Sequence, residues 1–238
     1  MQLSERLSAI ADMVTSGNYL VDVGCDHGYL PIDLARSGKV PSAIAMDVRP
    51  GPLAHAKENI AAHQLCDRIE TRLSDGLEKL EKSDMISNQG AKWTLVIAGM
   101  GGPLMERILE DGKNVREYFS EMILQPQSDI PHFRTYIRSA GWEIVEEKMI
   151  FEDGKYYPMM KVMKADVSSM PEYTPEEGYG KLLLEQKHPV LKQYLEREWK
   201  IHEKIVDQLQ KQDTETAKSR LGEVEHEMTV IRKALERF

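Results

Sequence analysis

Cysteine is scarce in this chain. Cys25 and Cys66 are the only two in 238 residues, and they form no Cys-x-x-Cys pair. A disulfide framework is thereby excluded, and a reducing, cytoplasmic setting is expected. No apolar run approaches the roughly 18 residues that suggest a membrane span. The opening residues read as an amphipathic helix rather than as a signal peptide. An excess of positive charge is missing too. The formal net charge is -8, which weighs against a nucleic-acid surface over the whole molecule and leaves room for a local basic face. What remains is enough chain for one full α/β domain plus an appendage.

A further absence lies in the stretch that organises the chain, Leu20-Val21-Asp22-Val23-Gly24-Cys25-Asp26-His27-Gly28-Tyr29-Leu30. Its start reads as a buried strand and its end as the opening of a helix. Such a turn exposes free N–H groups at the helix start and suits a polar ligand. The pattern is not the dinucleotide G-x-G-x-x-G, because Asp26 and His27 stand where the middle glycine is needed. A pyrophosphate disfavours nearby carboxylates, so Asp22 and Asp26 count against one. A ligand carrying an ammonium group, such as S-adenosylmethionine, would welcome them. A purely structural turn is the alternative reading of the loop alone.

The rest of the chain supports an open α/β sheet. Residues 3–15 carry Leu3, Leu7, Ile10 and Val14 at helical spacing. Strands are expected at 43–46, 69–73, 93–98 and 121–124. Helices are expected after the glycine loop to about Ser37-Gly38, over 52–65, and over 132–140. Residues 142–151 and 156–164 flank Glu152-Asp153-Gly154-Lys155, a strong hairpin signal. Five parallel strands and an antiparallel hairpin make a doubly wound, seven-stranded sheet. Asp47 follows the second strand about 20 residues past the glycines, where such folds place a carboxylate against ribose hydroxyls; capping the next helix is its bland role. Asp75, in Ser74-Asp75-Gly76, sits at the third strand's end and is placed to accept from an adenine amine.

Composition changes at Ser168-Ser169-Met170-Pro171, which is read as the boundary between domains 1–168 and 169–238. Beyond it, Ala217, Leu221, Val224, Met228, Ile231, Leu235 and Phe238 recur at steps of four and three, the spacing of a coiled-coil seam. Leu191, Leu195, Trp199, His202, Ile205 and Leu209 form a rougher seam before a break at Gln212-Asp213-Thr214. An antiparallel helical hairpin is expected, serving either packing and dimerisation or as a clamp on a large substrate.

Taken together, the Asp22-to-Gly28 loop, Asp47, Ser74-Asp75-Gly76, Ala98-Gly99-Met100-Gly101-Gly102 and Gln125-Pro126-Gln127 resemble the TrmK family of bacterial tRNA adenine-N1 methyltransferases, over essentially the whole chain. The resemblance implies a class I, Rossmann-like methyltransferase fold with a C-terminal coiled-coil hairpin. It also implies S-adenosyl-L-methionine as donor, and N1 of the adenine at tRNA position 22 as acceptor. A class I enzyme acting on a small molecule or another RNA is the nearest alternative; a nicotinamide dehydrogenase and a non-enzymatic binding module are further rivals.

Candidate donor-binding residues are Arg6, Asp22, Gly24, Cys25, Asp26, His27 and Gly28 around the loop. Asp47, Val48, Ser74, Asp75, Gly76, Gly99 and Met100 complete that set. Asp26, His27, Gly99, Met100 and Gly101 are placed at the reacting base. His27 is either a chemical participant or a structural donor, and Arg6 either pairs with the donor's carboxylate or is a solvated surface residue. The fourth-strand glycines are expected to admit the base edge, Met100 to pack against a ring, and Tyr29 or Tyr156 to stack on it. Arg134, Arg138, Lys148, Lys155, Lys161 and Lys164 form either a phosphate-facing patch or scattered solvated cations. No metal and no membrane contact are expected, and a monomer is.

Overall fold

The strands that read as continuous apolar runs lie at the centre of one seven-stranded sheet. The computed structural model describes residues 3–86, 90–165 and 174–238. Its strands are β1 (Tyr19–Val23), β2 (Ala43–Asp47), β3 (Ile69–Leu73), β4 (Trp93–Met100), β5 (Glu121–Pro126), β6 (Trp142–Glu152) and β7 (Lys155–Lys164). Their order is β3-β2-β1-β4-β5-β7-β6. The first five are parallel, and β7 runs antiparallel to both β5 and β6. Chain order reverses between β1 and β4, so the loops leaving those strands part and open a crevice at the carboxyl edge. The turn between β6 and β7 holds Asp153 and Gly154 both at positive φ, 50° and 76°, as a two-residue hairpin matched to strand twist requires.

Helices cover both faces. On one side α1 (Glu5–Met13), α2 (Tyr29–Arg36) and α3 (Pro50–Ala62) bury Ile10, Ile32, Leu34, Ala56 and Ile60 against Leu20, Ala45, Val96 and Ile123. The short α4 (Lys82–Ile86) follows β3. On the other face α5 (Gly102–Asp111), α6 (Lys113–Arg116) and α7 (Ile130–Ser139) set Met105, Ile108, Val115, Phe133 and Ile137 against Val21, Leu95, Met122 and Leu124. The sequence pattern predicts no helix at α4, α5 or α6. Gly101-Gly102-Pro103 reads as a breaker, yet Pro103 sits in the first turn of α5, where no amide hydrogen is needed. The close approach explains Gly102, since a Cβ there would lie 2.7 Å from the Ser128 carbonyl oxygen. β4 also runs past Ala98 to Met100, through a register shift at Gly99.

The amino edge of the sheet is knitted by Glu121. Its carboxylate accepts from Thr15 N–H (2.9 Å) and Oγ1 (2.6 Å), from Thr94 Oγ1 (2.7 Å), and from Lys161 Nζ (2.9 Å). One buried acid thus ties the end of α1 to β4, β5 and β7.

At the C-terminus a 3-10 turn (Pro175–Tyr179) and α8 (Lys181–Glu185) lead into α9 (Pro189–Leu209) and α10 (Glu215–Leu235). These two pack antiparallel, with His202 Nε2 2.8 Å from Glu227 and Lys187 Nζ donating to the Phe238 carbonyl. Leu191, Leu195, Ala217, Val224 and Ile231 of the expected seams are buried. The base of the pair shares a core with the hairpin, through Met149 of β6. Arg134 and Glu147, an ion pair at 2.6 Å with side chains 2% and 1% exposed, pin it there. Arg134 also donates to the Gly178 carbonyl, and Glu147 accepts from the Leu182 amide. The expected boundary at Ser168-Ser169-Met170-Pro171 lies outside the described residues.

Candidate active site

The glycine loop bends because three of its residues adopt left-handed backbone: Gly24, Asp26 and Gly28, at φ 76°, 50° and 73°. The amides of Gly24 and Cys25 both donate to the Met46 carbonyl, at 2.8 and 2.9 Å, which ties the loop to β2. A Cβ at 24 would meet the mobile terminal methyl of Met100, so the backbone conformation rather than space is what calls for glycine there. Asp26 tolerates its conformation because its N–H is held by Asp47 Oδ2 at 3.2 Å. The other Asp47 oxygen takes the Arg49 amide at 2.9 Å. A buried carboxylate at the β2 tip therefore positions two loops and retains lone pairs for a ligand hydroxyl.

Asp22 lies beneath the loop. Burial first, and the neighbouring Asp47 charge second, push its carboxyl up to about 7. Burial and the surrounding Asp22, Asp47 and Asp26 also push the Cys25 thiol up, so it stays protonated and unreactive. At the β3 tip the Ser74 hydroxyl donates to the Gly76 carbonyl (2.9 Å) and accepts from the Lys79 amide (3.1 Å), and is thus used within its own loop. Asp75 is half-exposed and paired with Arg107 Nη2 at 3.2 Å.

The fourth-strand loop is shaped by buried Gln125, whose Oε1 accepts from Gly99 N (3.1 Å) and Arg6 Nη1 (3.3 Å). Arg6 is therefore no free surface residue: it reaches from α1 to the tip of β5 and lies 5.6 Å from the Tyr157 ring centre.

These tips enclose a crevice of about 460 Å³, within the range of small-molecule sites, roughly 300–1,000 Å³. Of the expected residues, Arg6, Gly24, Asp26, Asp47 and Val48 line one part of it. Ser74, Asp75, Gly76, Gly99 and Met100 line the other. Asp22, Cys25, His27, Gly28 and Gly101 are not in its wall. Gly28 packs on α3, where a Cβ on it would lie only 3.2 Å from that of Ala56. A Cβ at Gly101 would meet Ser128 Oγ at 2.9 Å, on the far side of the loop. The His27 ring stacks on Tyr29 (5.5 Å between centres) and sits 5.3 Å from His55, outside the crevice. Arg49, Leu104, Arg107, Ile108 and Gln127 also line the crevice. Leu104, Arg107 and Ile108 share one face of α5, and their i, i+3, i+4 spacing was the available signal.

A second concavity, about 560 Å³, adjoins the first and shares Gln127 with it. It lies between the start of α7, the β6–β7 turn and α9, and Tyr156, Tyr157, Tyr179 and Tyr194 line it.

Of the expected phosphate-facing residues, four are engaged with acids, while Lys155 lines the second concavity. Arg134 is buried in its pair with Glu147, and the partly buried Lys161 is paired with Glu121. Lys164 pairs with Glu117 at 2.8 Å, and Lys148 lies 3.8 Å from Glu146. Basic residues spaced along a sequence carry no signal of the acids that fold beside them. Among the described residues no group of three or more His, Cys, Asp or Glu is arranged to hold a metal ion, and no helix is long and apolar enough to cross a membrane.

An open sheet of this order, with acids at three strand tips around a bent glycine loop, has the architecture of a class I methyltransferase. The family model for the methyltransferase domain matches residues 3–160. Over 240 residues, 99% of this chain and 98% of its relative, the chain is 29% identical to the tRNA (adenine(22)-N(1))-methyltransferase of Bacillus subtilis. A Streptococcus pneumoniae protein described as a candidate tRNA (m1A22) methyltransferase, solved with S-adenosyl-L-methionine, is 32% identical with a TM-score of 0.85, over 98% of this chain and 100% of that one. TrmK of M. capricolum, solved with S-adenosyl-homocysteine, is 26% identical with a TM-score of 0.78, over 100% and 99%. The chain belongs to the TrmK family of tRNA adenine-N1 methyltransferases.

Proposed function

We propose that this protein moves the methyl group of S-adenosyl-L-methionine to N1 of the adenine at position 22 of tRNA. The observation that carries the reading is the crevice itself: Asp26, Asp47 and Asp75 converge on a loop that brings bare backbone close to a ligand. The residues fit that donor. Asp47 is offered to the ribose hydroxyls. Val48 and Leu104, apolar yet 57% and 41% exposed, flank the crevice as faces for a flat adenine. Asp26 faces the ammonium directly, and Asp22 lies buried beneath the loop, its carboxyl pushed up to about 7 by burial and then by Asp47. Arg6 is the cation for the carboxylate end.

The donor supplies an electrophilic methyl on a sulfonium. Adenine N1 already holds the lone pair that takes it, so no side chain has to create a nucleophile. An N–C bond forms as the S–C bond breaks, and the positive charge passes to the adenine ring while the bonding pair stays on sulfur. The chain's work is alignment and exclusion of water. Gly99 leaves room beside Met100 for the base edge, and Asp26 meets the charge that arrives on the ring. His27 and Tyr29, a stacked pair at the loop's outer side, are assigned to the approach of the base. Gly101 acts at one remove, by letting α5 start against Ser128. Because N1 is a pairing atom, the base must leave its stack or pair to react.

Residues 1–168 are read as the methyltransferase domain and 169–238 as the helical domain. A monomer is proposed because the apolar base of α9 and α10, with Leu191, Leu195 and Ile231, is covered by Met149 of the same chain. The cytoplasm is proposed because both cysteines are free thiols.

The test is incubation of an unmodified tRNA transcript with labelled donor, followed by nucleoside analysis. N1-methyladenosine, lost when adenine 22 is replaced by guanine, is the expected result. Label on another base, or none, overturns the reading.

A further inference from the structure

Tyr156 and Arg197 meet across the second concavity, one from the hairpin turn and the other from α9. The Arg197 guanidinium carbon is 5.7 Å from the Tyr156 ring centre. Tyr156 is braced by Phe151 (4.7 Å) and, edge-on, by Tyr194 (5.2 Å). We infer that this aromatic cleft seats an unpaired nucleotide of the RNA substrate, with the flat guanidinium of Arg197, held over Tyr156, as the stacking platform. The inference rests on the methyl-transfer reading above and adds where the RNA is gripped.

Three observations favour a nucleotide. The cleft adjoins the donor crevice: Gln127 lines both, and Arg6 of the crevice lies over Tyr157 of the cleft. A base placed in one is thus next to a base placed in the other. Charge is the second. Lys155 and Arg197 have no ion-pair partner among the described residues, while Arg134 in the floor is neutralised by Glu147. Two available cations face one carboxylate, Asp129. Shape is the third: a concavity of about 560 Å³ walled by rings admits a splayed base but no duplex. Unpaired bases are bound in this way, on aromatic rings and guanidinium planes, with cations along the backbone.

Arg197 is exposed and can be changed without opening a core. The experiment measures KM for a tRNA transcript, kcat, and donor Kd by titration calorimetry, in the unaltered protein, Arg197→Ala and Arg197→Lys, with urea midpoints as a folding check. Arg197→Ala is expected to raise KM for tRNA about tenfold, with kcat and donor Kd within twofold. Arg197→Lys keeps the charge but loses the plane, and is expected to show most of that loss. If the unaltered protein methylates tRNA and both variants keep its KM within twofold, the cleft is not the grip, although the activity stands. Full rescue by lysine also overturns the stacking platform. An unaltered protein that binds donor but methylates no tRNA removes the activity and this inference together.

Discussion

Arg134 and Glu147 face each other at 2.6 Å with almost no access to water, on α7 and β6 respectively. Between them they also satisfy the Gly178 carbonyl and the Leu182 amide. The pair is a peg through the sheet domain into the base of the C-terminal helices.

Removing one half leaves the other charged and buried. Arg134→Met is expected to cost roughly 3–5 kcal/mol of unfolding free energy, and Glu147→Leu a similar amount. The double variant should lose clearly less than the sum, because no lone charge remains. Urea denaturation of the four proteins decides. Additive single losses would show that the two side chains do not act as a unit.

Asp22 carries the opposite signature. Its folded carboxyl is held near 7 against 3.8 for the ordinary group, through burial and then Asp47. The folded protein therefore keeps a proton that the unfolded chain has lost, and stability falls as pH rises from about 4 to about 7. Asp22→Asn removes that penalty. The variant should exceed its parent in stability above pH 7, by at most roughly 4 kcal/mol, with the gap closing toward pH 4. The same variant should bind S-adenosyl-L-methionine more weakly. A stability gap that does not grow with pH would discard this account.

Gly24 is constrained by its φ of 76°, while a methyl there would have to displace only the flexible tip of Met100. Gly24→Ala is expected to lose about 1–2 kcal/mol of stability from the left-handed backbone. It should also weaken donor binding more than tenfold, because the methyl stands on the face the ligand approaches. Calorimetric titration at 25 °C reads the second effect directly, and an unaltered donor Kd would show that the ligand lies elsewhere.

Much of this was legible in the chain, for identifiable reasons. β1, β2, β4 and β5 are buried on both faces and so read as unbroken apolar runs, while Asp153-Gly154 announces its own turn. The acids at the strand tips could be found because a carboxylate is out of place after such a run. α5 was hidden by Gly101-Gly102-Pro103, and with it Leu104, Arg107 and Ile108, whose place in the crevice depends on that helix. Arg134 was misread because its partner lies 13 residues away on another element. Gly101 looked like a gap in the crevice wall, but the absent side chain would point at Ser128.

Glu121 yields a last expectation. Burial would raise its pKa, but hydrogen bonds from Thr15, Lys161 and Thr94 outweigh that and hold it below the usual carboxylate range. A lowered folded pKa gives stability that is present above the unfolded value of 4.5 and lost as pH falls through the folded one. Glu121→Gln should cost about 2–4 kcal/mol at neutral pH, since the partly buried Lys161 loses its counter-charge and keeps only the Met13 carbonyl and the Thr15 hydroxyl, and the gap should narrow in acid. Urea midpoints at pH 7 and pH 3.5 measure it, and an equal gap at both would refute the assignment.

The place of that acid divides the sheet into two unlike ends. Opposite Glu121, the strand tips finish in loops that hold ligand-facing groups and are tied mainly through Asp47 and Gln125. Opening fluctuations should begin there, and amide exchange should be slowest around Thr94 and Ile123 and fastest beyond Ala98. Sequence change can then accumulate in the loops that choose a substrate without loosening the end that keeps the strands in register.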